Sequence, residues 1–125
     1  MSPKVLLVDD SGLARRSTRR VLEQAGYDVV EAEDGLSALE RFAVDKPDVV
    51  LLDLVMKGMY GLDVLEKLRE MDPMARVIVV TADVQTSSRD MVQAAGAAGF
   101  INKPAPPGEV VATIEQVLKG TTPWN

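Results

Sequence analysis

Three aspartates, a threonine and a lysine stand at comparable places in this chain. Asp9 and Asp10 close the apolar run Val5-Leu6-Leu7-Val8, and Asp53 closes Val49-Val50-Leu51-Leu52. Thr81 closes Val77-Ile78-Val79-Val80, and Lys103 follows the short run Gly99-Phe100-Ile101. Short, fully apolar runs read as strands buried on both faces. A carboxylate at the tip of such a strand is costly to desolvate unless a cation meets it, and close carboxylates raise one another's pKa values. A hard divalent cation relieves both problems. Magnesium suits the site, because it takes oxygen ligands and uses one or two carboxylates beside phosphate oxygens. Acids for a metal, a hydroxyl for an incoming oxyanion and a lysine as point charge are together the parts of a phosphoryl-transfer site, in which a carboxylate can be the nucleophile. Asp53 is the candidate nucleophile.

Each residue also has a simpler reading. Asp10-Ser11 ahead of a helix equally fits N-capping. Thr81 with Asp83 fits turn and cap chemistry, and Lys103 before Pro104 fits a solvated loop lysine. Asp53 is hardest to explain in that way, since the next helix begins several residues later. All of these positions coinciding at the ends of strands favours one site over separate accidents.

The elements that must position these residues follow from periodicity. After Asp9-Asp10-Ser11-Gly12, the positions Ala14, Ser17, Thr18, Val21, Leu22 and Ala25 mark one face of a helix stopped by Gly26, with Arg15, Arg16, Arg19 and Arg20 between them. Asp28 to Ala32 is a more polar run, as an edge strand should be. Leu36, Leu39, Phe42 and Ala43 predict a second helix ending before Pro47, and Leu62, Leu65 and Leu68 predict a third, complete by Asp72-Pro73. A weaker fourth helix is expected over 87–95, with Val84, Met91 and Val92 its apolar residues. A fifth carries Val110, Val111, Ile114, Val117 and Leu118 and stops at Gly120. Five strand-helix alternations with three apolar strands predict an α/β fold: one doubly wound, five-stranded parallel sheet in the order 2-1-3-4-5, with helices on both faces. Right-handed crossovers put every strand's C-terminal end on one rim, and the order reverses between the first and third strands, beside Asp9, Asp10 and Asp53.

Composition narrows the chemistry. With 125 residues, 46% hydrophobic and 26% charged, the chain suits one domain, expected over 4–120 with a short tail over 121–125. A net charge of −5 disfavours direct nucleic-acid or anionic-membrane binding. Cys and His are both absent, which removes disulfides, thiolate and imidazole catalysis, and Cys- or His-bound metal. No run has the length of a signal peptide core or a membrane span, so a cytoplasmic protein is expected.

From about Lys4 to Lys119 the sequence resembles the response-regulator receiver domains of two-component signalling. The motifs that carry the resemblance are Val8-Asp9-Asp10, Asp53 with Met56, Met59 and Gly61, Thr81-Ala82, and Lys103-Pro104. The resemblance implies that Asp53 is the phosphoacceptor, taking its phosphoryl group from a histidine kinase, a histidine phosphotransfer protein or a small phosphodonor. It implies Mg2+ held by Asp10, Asp53 and the Val55 backbone carbonyl, with Asp9 acting through a water. Thr81 and Lys103 would contact the phosphoryl oxygens, Phe100 would be an aromatic switch coupled to Thr81, Val55 and Asp83 would tune phosphoryl lifetime, and the Lys103-Pro104 bond would be cis. Output would be a shift in a surface made of the fourth helix, fifth strand and fifth helix, read by a downstream protein; the state would be a monomer or a phosphorylation-dependent dimer. The arginines of the first helix would dock the kinase or phosphotransfer protein, or else form a solvated face. Three positions depart from the pattern: Lys57 replaces a usual Pro, Ala105 replaces a frequent aromatic, and Val55 cannot hydrogen-bond an attacking water.

The expected role is a stand-alone, CheY-like signalling phosphoacceptor, not an enzyme acting on other substrates. The alternatives are a receiver cut from a larger regulator with a DNA-binding or enzymatic output domain, and a haloacid-dehalogenase-like phosphatase. The phosphatase needs an Asp-x-Asp motif after its first strand. A flavodoxin-like electron carrier shares the topology, but two carboxylates in its first loop would repel a flavin phosphate.

Overall fold

The computed structural model describes residues 2–56, 60–82 and 86–121, the side chains of 86 and 87 excepted. Strand β1 (Lys4–Val8) leads into α1 (Gly12–Gln24), β2 (Asp28–Ala32) into α2 (Gly35–Asp45), and β3 (Val49–Asp53) into α3 (Gly61–Met71). Strand β4 (Val77–Thr81), α4 (Thr86–Ala94), β5 (Gly99–Asn102) and α5 (Pro107–Leu118) complete the series. All pairings are parallel and the order is β2-β1-β3-β4-β5, as the apolar pattern predicts.

Side-chain alternation along the strands sends neighbours to opposite faces. Leu6, Val8, Val50, Leu52, Val77 and Val79 meet Ala38, Val64, Leu65, Leu68 and Val92 from α2, α3 and α4. Val5, Leu7, Val49, Leu51 and Ile78 meet Leu22, Ile114 and Val117 from α1 and α5. With both faces covered, the strand ends are the part of the sheet open to chemistry.

The helices rest on local signals. Ser11 is the N-cap of α1, its Oγ accepting from the Ala14 N–H at 3.2 Å, and Gly26 follows the helix at φ +94, a conformation that other residues adopt with strain. Asp34 caps α2 in a reciprocal box with Ser37. The apolar stripe of α2 differs from the predicted one: Leu36 is 65% exposed and Ala43 is exposed, while Gly35 and Ala38 are buried and Leu39 and Phe42 pack on the core. Small residues at 35 and 38 let the helix approach the sheet closely, which turns Leu36 outward. On α4, Val92 is buried and Met91 is 44% exposed.

The stripe of α1 also needs correction. Ser17 and Ala25 are exposed, whereas Arg15 and Arg19 turn toward the sheet. Arg15 Nε lies 3.0 Å from Glu31 Oε1, and Arg19 Nη1 lies 2.7 Å from Glu31 Oε2. Hydrogen bonds from Arg19 hold the Glu31 carboxyl below its ordinary value of 4.5 against the opposing effect of burial, and Arg15 adds to the effect. A carboxyl whose folded pKa is lowered stabilises the fold above its unfolded pKa and loses that contribution as pH falls through the folded value. Urea unfolding is therefore expected to show a stability gap between the native chain and Glu31→Gln that is constant at neutral pH and closes as pH drops below about 4.3. A gap that widened toward acid would refute this assignment.

Candidate functional site

Asp9 and Asp10 come off the end of β1, which runs between β2 and β3. Asp9 is 6% exposed and is held at both ends: its N–H donates to the Ala32 carbonyl at 3.2 Å, and its carbonyl accepts from Arg15 Nη1. Its Oδ1 accepts from the Ser11 N–H at 2.9 Å and its Oδ2 accepts from Lys103 Nζ at 3.0 Å. Ser11 supplies the helix cap, as the capping reading of the Asp10-Ser11 pair expects. Asp10 is exposed at the rim.

Asp53 ends β3, the central strand. Its Oδ1 accepts from the Val55 N–H at 3.1 Å and its Oδ2 accepts from Lys103 Nζ at 3.2 Å. Burial pushes the Asp53 carboxyl above its ordinary range, against the Val55 amide and Lys103, which favour the ionised form; Asp9 adds repulsion. For Lys103, burial disfavours the ammonium, but Asp9 and Asp53 outweigh it and raise the pKa. Lys103 is thus bound in the site as the cation shared by two carboxylates, and the solvated-loop reading does not apply. Its main-chain N–H donates to the Thr81 carbonyl at 2.8 Å, joining the ends of β4 and β5. Thr81 itself is fully buried. The Lys103-Pro104 bond is cis.

One carboxylate oxygen each from Asp9, Asp10 and Asp53 lies within 4.8 Å of the others. That spacing and the all-oxygen donor set fit a hard dication. A cavity of about 40 Å³ lined by Asp9, Asp53 and Lys103 together with Leu7, Leu51 and Val80 is far smaller than a typical small-molecule pocket of about 300 Å³ or more. The arrangement suits chemistry at the rim on a small anionic group.

Phe100 packs on the core with Arg89 5.9 Å from its ring centroid, and Ala105, like Val110 and Val111, packs against the core on the opposite face of the sheet. Val55 is 61% exposed at the rim. Of the other residues singled out, Lys57, Met59, Asp83 and Val84 lie outside the described residues. The structure adds two features the periodicity did not indicate. Arg15 reaches the Asp9 carbonyl, for which the available signal was an acid, Glu31, set between Val30 and Ala32 on the edge strand. Gly61 packs so closely on the end of β3 that a Cβ would stand 2.6 Å from the Asp53 carbonyl oxygen.

A family model described as the response regulator receiver domain matches residues 5–115. The chain is 37% identical to the chemotaxis protein CheY of Thermotoga maritima over 120 residues, covering 95% of this chain and all of that one. It is 38% identical to the response regulator MprA of Mycolicibacterium vanbaalenii over 98% of its own length, but spans only 53% of that protein. A CheY-like receiver domain from Methanospirillum hungatei superposes with a TM-score of 0.92 at 28% identity, with 96% of each chain covered. With the strand order and the acid cluster already established, these matches lead to one conclusion: the chain belongs to the response-regulator receiver domain family of two-component signalling.

Proposed function

We propose that this protein is a Mg2+-dependent phosphoacceptor whose reacting group is Asp53. The observation that carries the reading is the meeting of three carboxylates within 4.8 Å with an ammonium shared between Asp9 and Asp53. Asp10, Asp53 and the Val55 carbonyl would hold Mg2+ directly, with Asp9 acting through a water, which suits an Asp9 carboxylate already engaged by Ser11 and Lys103. When bound, the ion neutralises charge on the transferring phosphoryl oxygens.

The chain's own residues do the rest. An Asp53 carboxylate oxygen attacks phosphorus, the bond from phosphorus to the donor's imidazole nitrogen or small leaving group breaks, and the electron pair and a proton end on that leaving group. Lys103 stands over Asp53 and would pair with a phosphoryl oxygen once the carboxylate charge is spent in the new bond. Thr81 would donate its hydroxyl to another phosphoryl oxygen, and Phe100 on neighbouring β5 would respond, biasing the surface of α4, β5 and α5 toward a downstream protein. The donor would be a histidine kinase, a histidine phosphotransfer protein or a small phosphodonor. The protein would act in the cytoplasm without binding nucleic acid or membrane itself, as a monomer or as a dimer formed on phosphorylation.

A stand-alone, CheY-like role is favoured by full coverage of the Thermotoga protein. The half-length match to MprA supports the second reading, a receiver working within a larger regulator. Intact-mass measurement after treatment with a small phosphodonor and Mg2+ tests the chemistry. One added phosphoryl group on the native chain and none on Asp53→Asn is the expected result; equal labelling of both would overturn the assignment.

Val55 would set the lifetime of that group. Its exposed valine gives an attacking water no hydrogen bond, so Val55→Asn is expected to speed self-catalysed dephosphorylation by roughly tenfold, less than a full general base contributes. Equal decay of the labelled species in the two proteins would remove position 55 from the mechanism.

A further inference from the structure

We propose that Arg15 is a positioning residue for the acid pair, holding Asp10 in place through the Asp9 carbonyl while Glu31 holds Arg15. The inference rests on the Mg2+ role given to the cluster above. The carbonyl of Asp9 belongs to the planar peptide that joins it to Asp10, so the orientation of that plane fixes the Cα of Asp10. The Asp9 N–H is tied to the sheet through Ala32, and the carbonyl is tied by Arg15 Nη1. Arg15 is not a wandering surface cation: its side chain is 16% exposed, and its Nε donates to Glu31 Oε1 at 3.0 Å. Glu31 is paired in register with Leu7 in the sheet and is held from its other oxygen by Arg19 at 2.7 Å. The sheet thus braces Glu31, Glu31 braces Arg15, and Arg15 sets the loop that carries Asp10. A guanidinium serves both acceptors from one rigid fork, which a lysine ammonium does not.

Electrostatics and positioning predict opposite results here. Arg15 is a positive charge near a cation site, so removing it should tighten Mg2+ binding if charge alone matters. If Arg15 positions Asp10, removing it should weaken binding by about tenfold, the low end of what loss of an outer-shell partner costs a metal site. The experiment is calorimetric titration of Mg2+ into the full chain and into Arg15→Ala, Arg15→Lys, Glu31→Gln and Arg20→Ala. Hydrogen exchange of the Ser11 amide, which donates to Asp9 Oδ1, is followed without metal. Weaker binding by Arg15→Ala, an intermediate loss for Arg15→Lys, no change for the exposed Arg20→Ala, and faster Ser11 exchange in Arg15→Ala are expected. Unchanged or tighter binding by Arg15→Ala overturns the proposal. If that variant does not fold, native affinity in Arg15→Lys overturns it instead. A native chain that binds no Mg2+ would refute the metal role. The exchange comparison then decides the positioning role by itself, with equal Ser11 rates in native and variant proteins counting against it.

Discussion

Lys103→Ala is expected to slow formation of the phosphorylated protein by about a hundredfold, the cost of removing one preorganised charge from a developing anion. The reason lies in what the ammonium touches. Its Nζ is 3.0 Å from Asp9 Oδ2 and 3.2 Å from Asp53 Oδ2, in a site where the Asp53 side chain is only 13% exposed. In the structure it offsets the repulsion between the two carboxylates; in the proposed reaction, once Asp53 bonded to phosphorus, the same charge would be free to meet the incoming oxyanion. The variant should also bind Mg2+ more tightly, by about tenfold or more, because a competing cation has left the space between two carboxylates. Slower labelling combined with stronger metal binding is hard to obtain from general damage to the fold, which would weaken both. An unchanged labelling rate, read from the time course of the added mass, would show that Lys103 is a structural counterion only.

Gly61→Ala is expected to cost about 3 kcal/mol of stability, at the upper end for overpacking a tight contact. The Gly61 N–H donates to the Leu54 carbonyl at 2.8 Å, which draws the start of α3 against the end of β3. A Cβ there would stand 2.6 Å from the Asp53 carbonyl oxygen, 2.6 Å from Leu54 Cα and 2.8 Å from the Leu54 carbonyl oxygen. All three are backbone atoms and none can swing aside. Relief requires α3 to retreat from β3, which breaks the hydrogen bond and moves the backbone that carries Asp53. Urea unfolding should therefore show the loss in stability, and phosphorylation should slow with it. A change below about 0.5 kcal/mol, the range of an ordinary surface substitution, would mean that the contact yields.

The topology was legible because burial wrote it into composition. Val5 to Val8, Val49 to Leu52 and Val77 to Val80 are apolar at consecutive positions, which only strands covered on both faces require, and those three strands occupy the middle of the sheet. The acids, Thr81 and Lys103 were legible for a related reason: polar groups that end such strands stand out. The helix faces were less so. In α2, Leu36 fits a 3.6-residue stripe as well as Ala38 does, and only the closeness of the sheet, which favours Gly35 and Ala38, decides between them. In α1, Arg15 and Arg19 looked like part of a solvated or docking face. Their inward turn depends on Glu31, which is 16 and 12 residues away in the chain, and no local pattern encodes that pairing. Arg16 and Arg20 remain exposed and are the arginines of α1 available to a partner.

The central claim is that the carboxylate at the end of β3, and neither of its two acidic neighbours, carries the phosphoryl group. Borohydride reduces an acyl phosphate to an alcohol and so converts a phosphorylated aspartate to homoserine, leaving a permanent mark in the chain. After treatment with phosphodonor and Mg2+ followed by reduction, peptide sequencing by mass spectrometry should find homoserine at position 53 alone. Homoserine at position 9 or 10, or at no position in a chain that had gained the phosphoryl mass, would contradict the account.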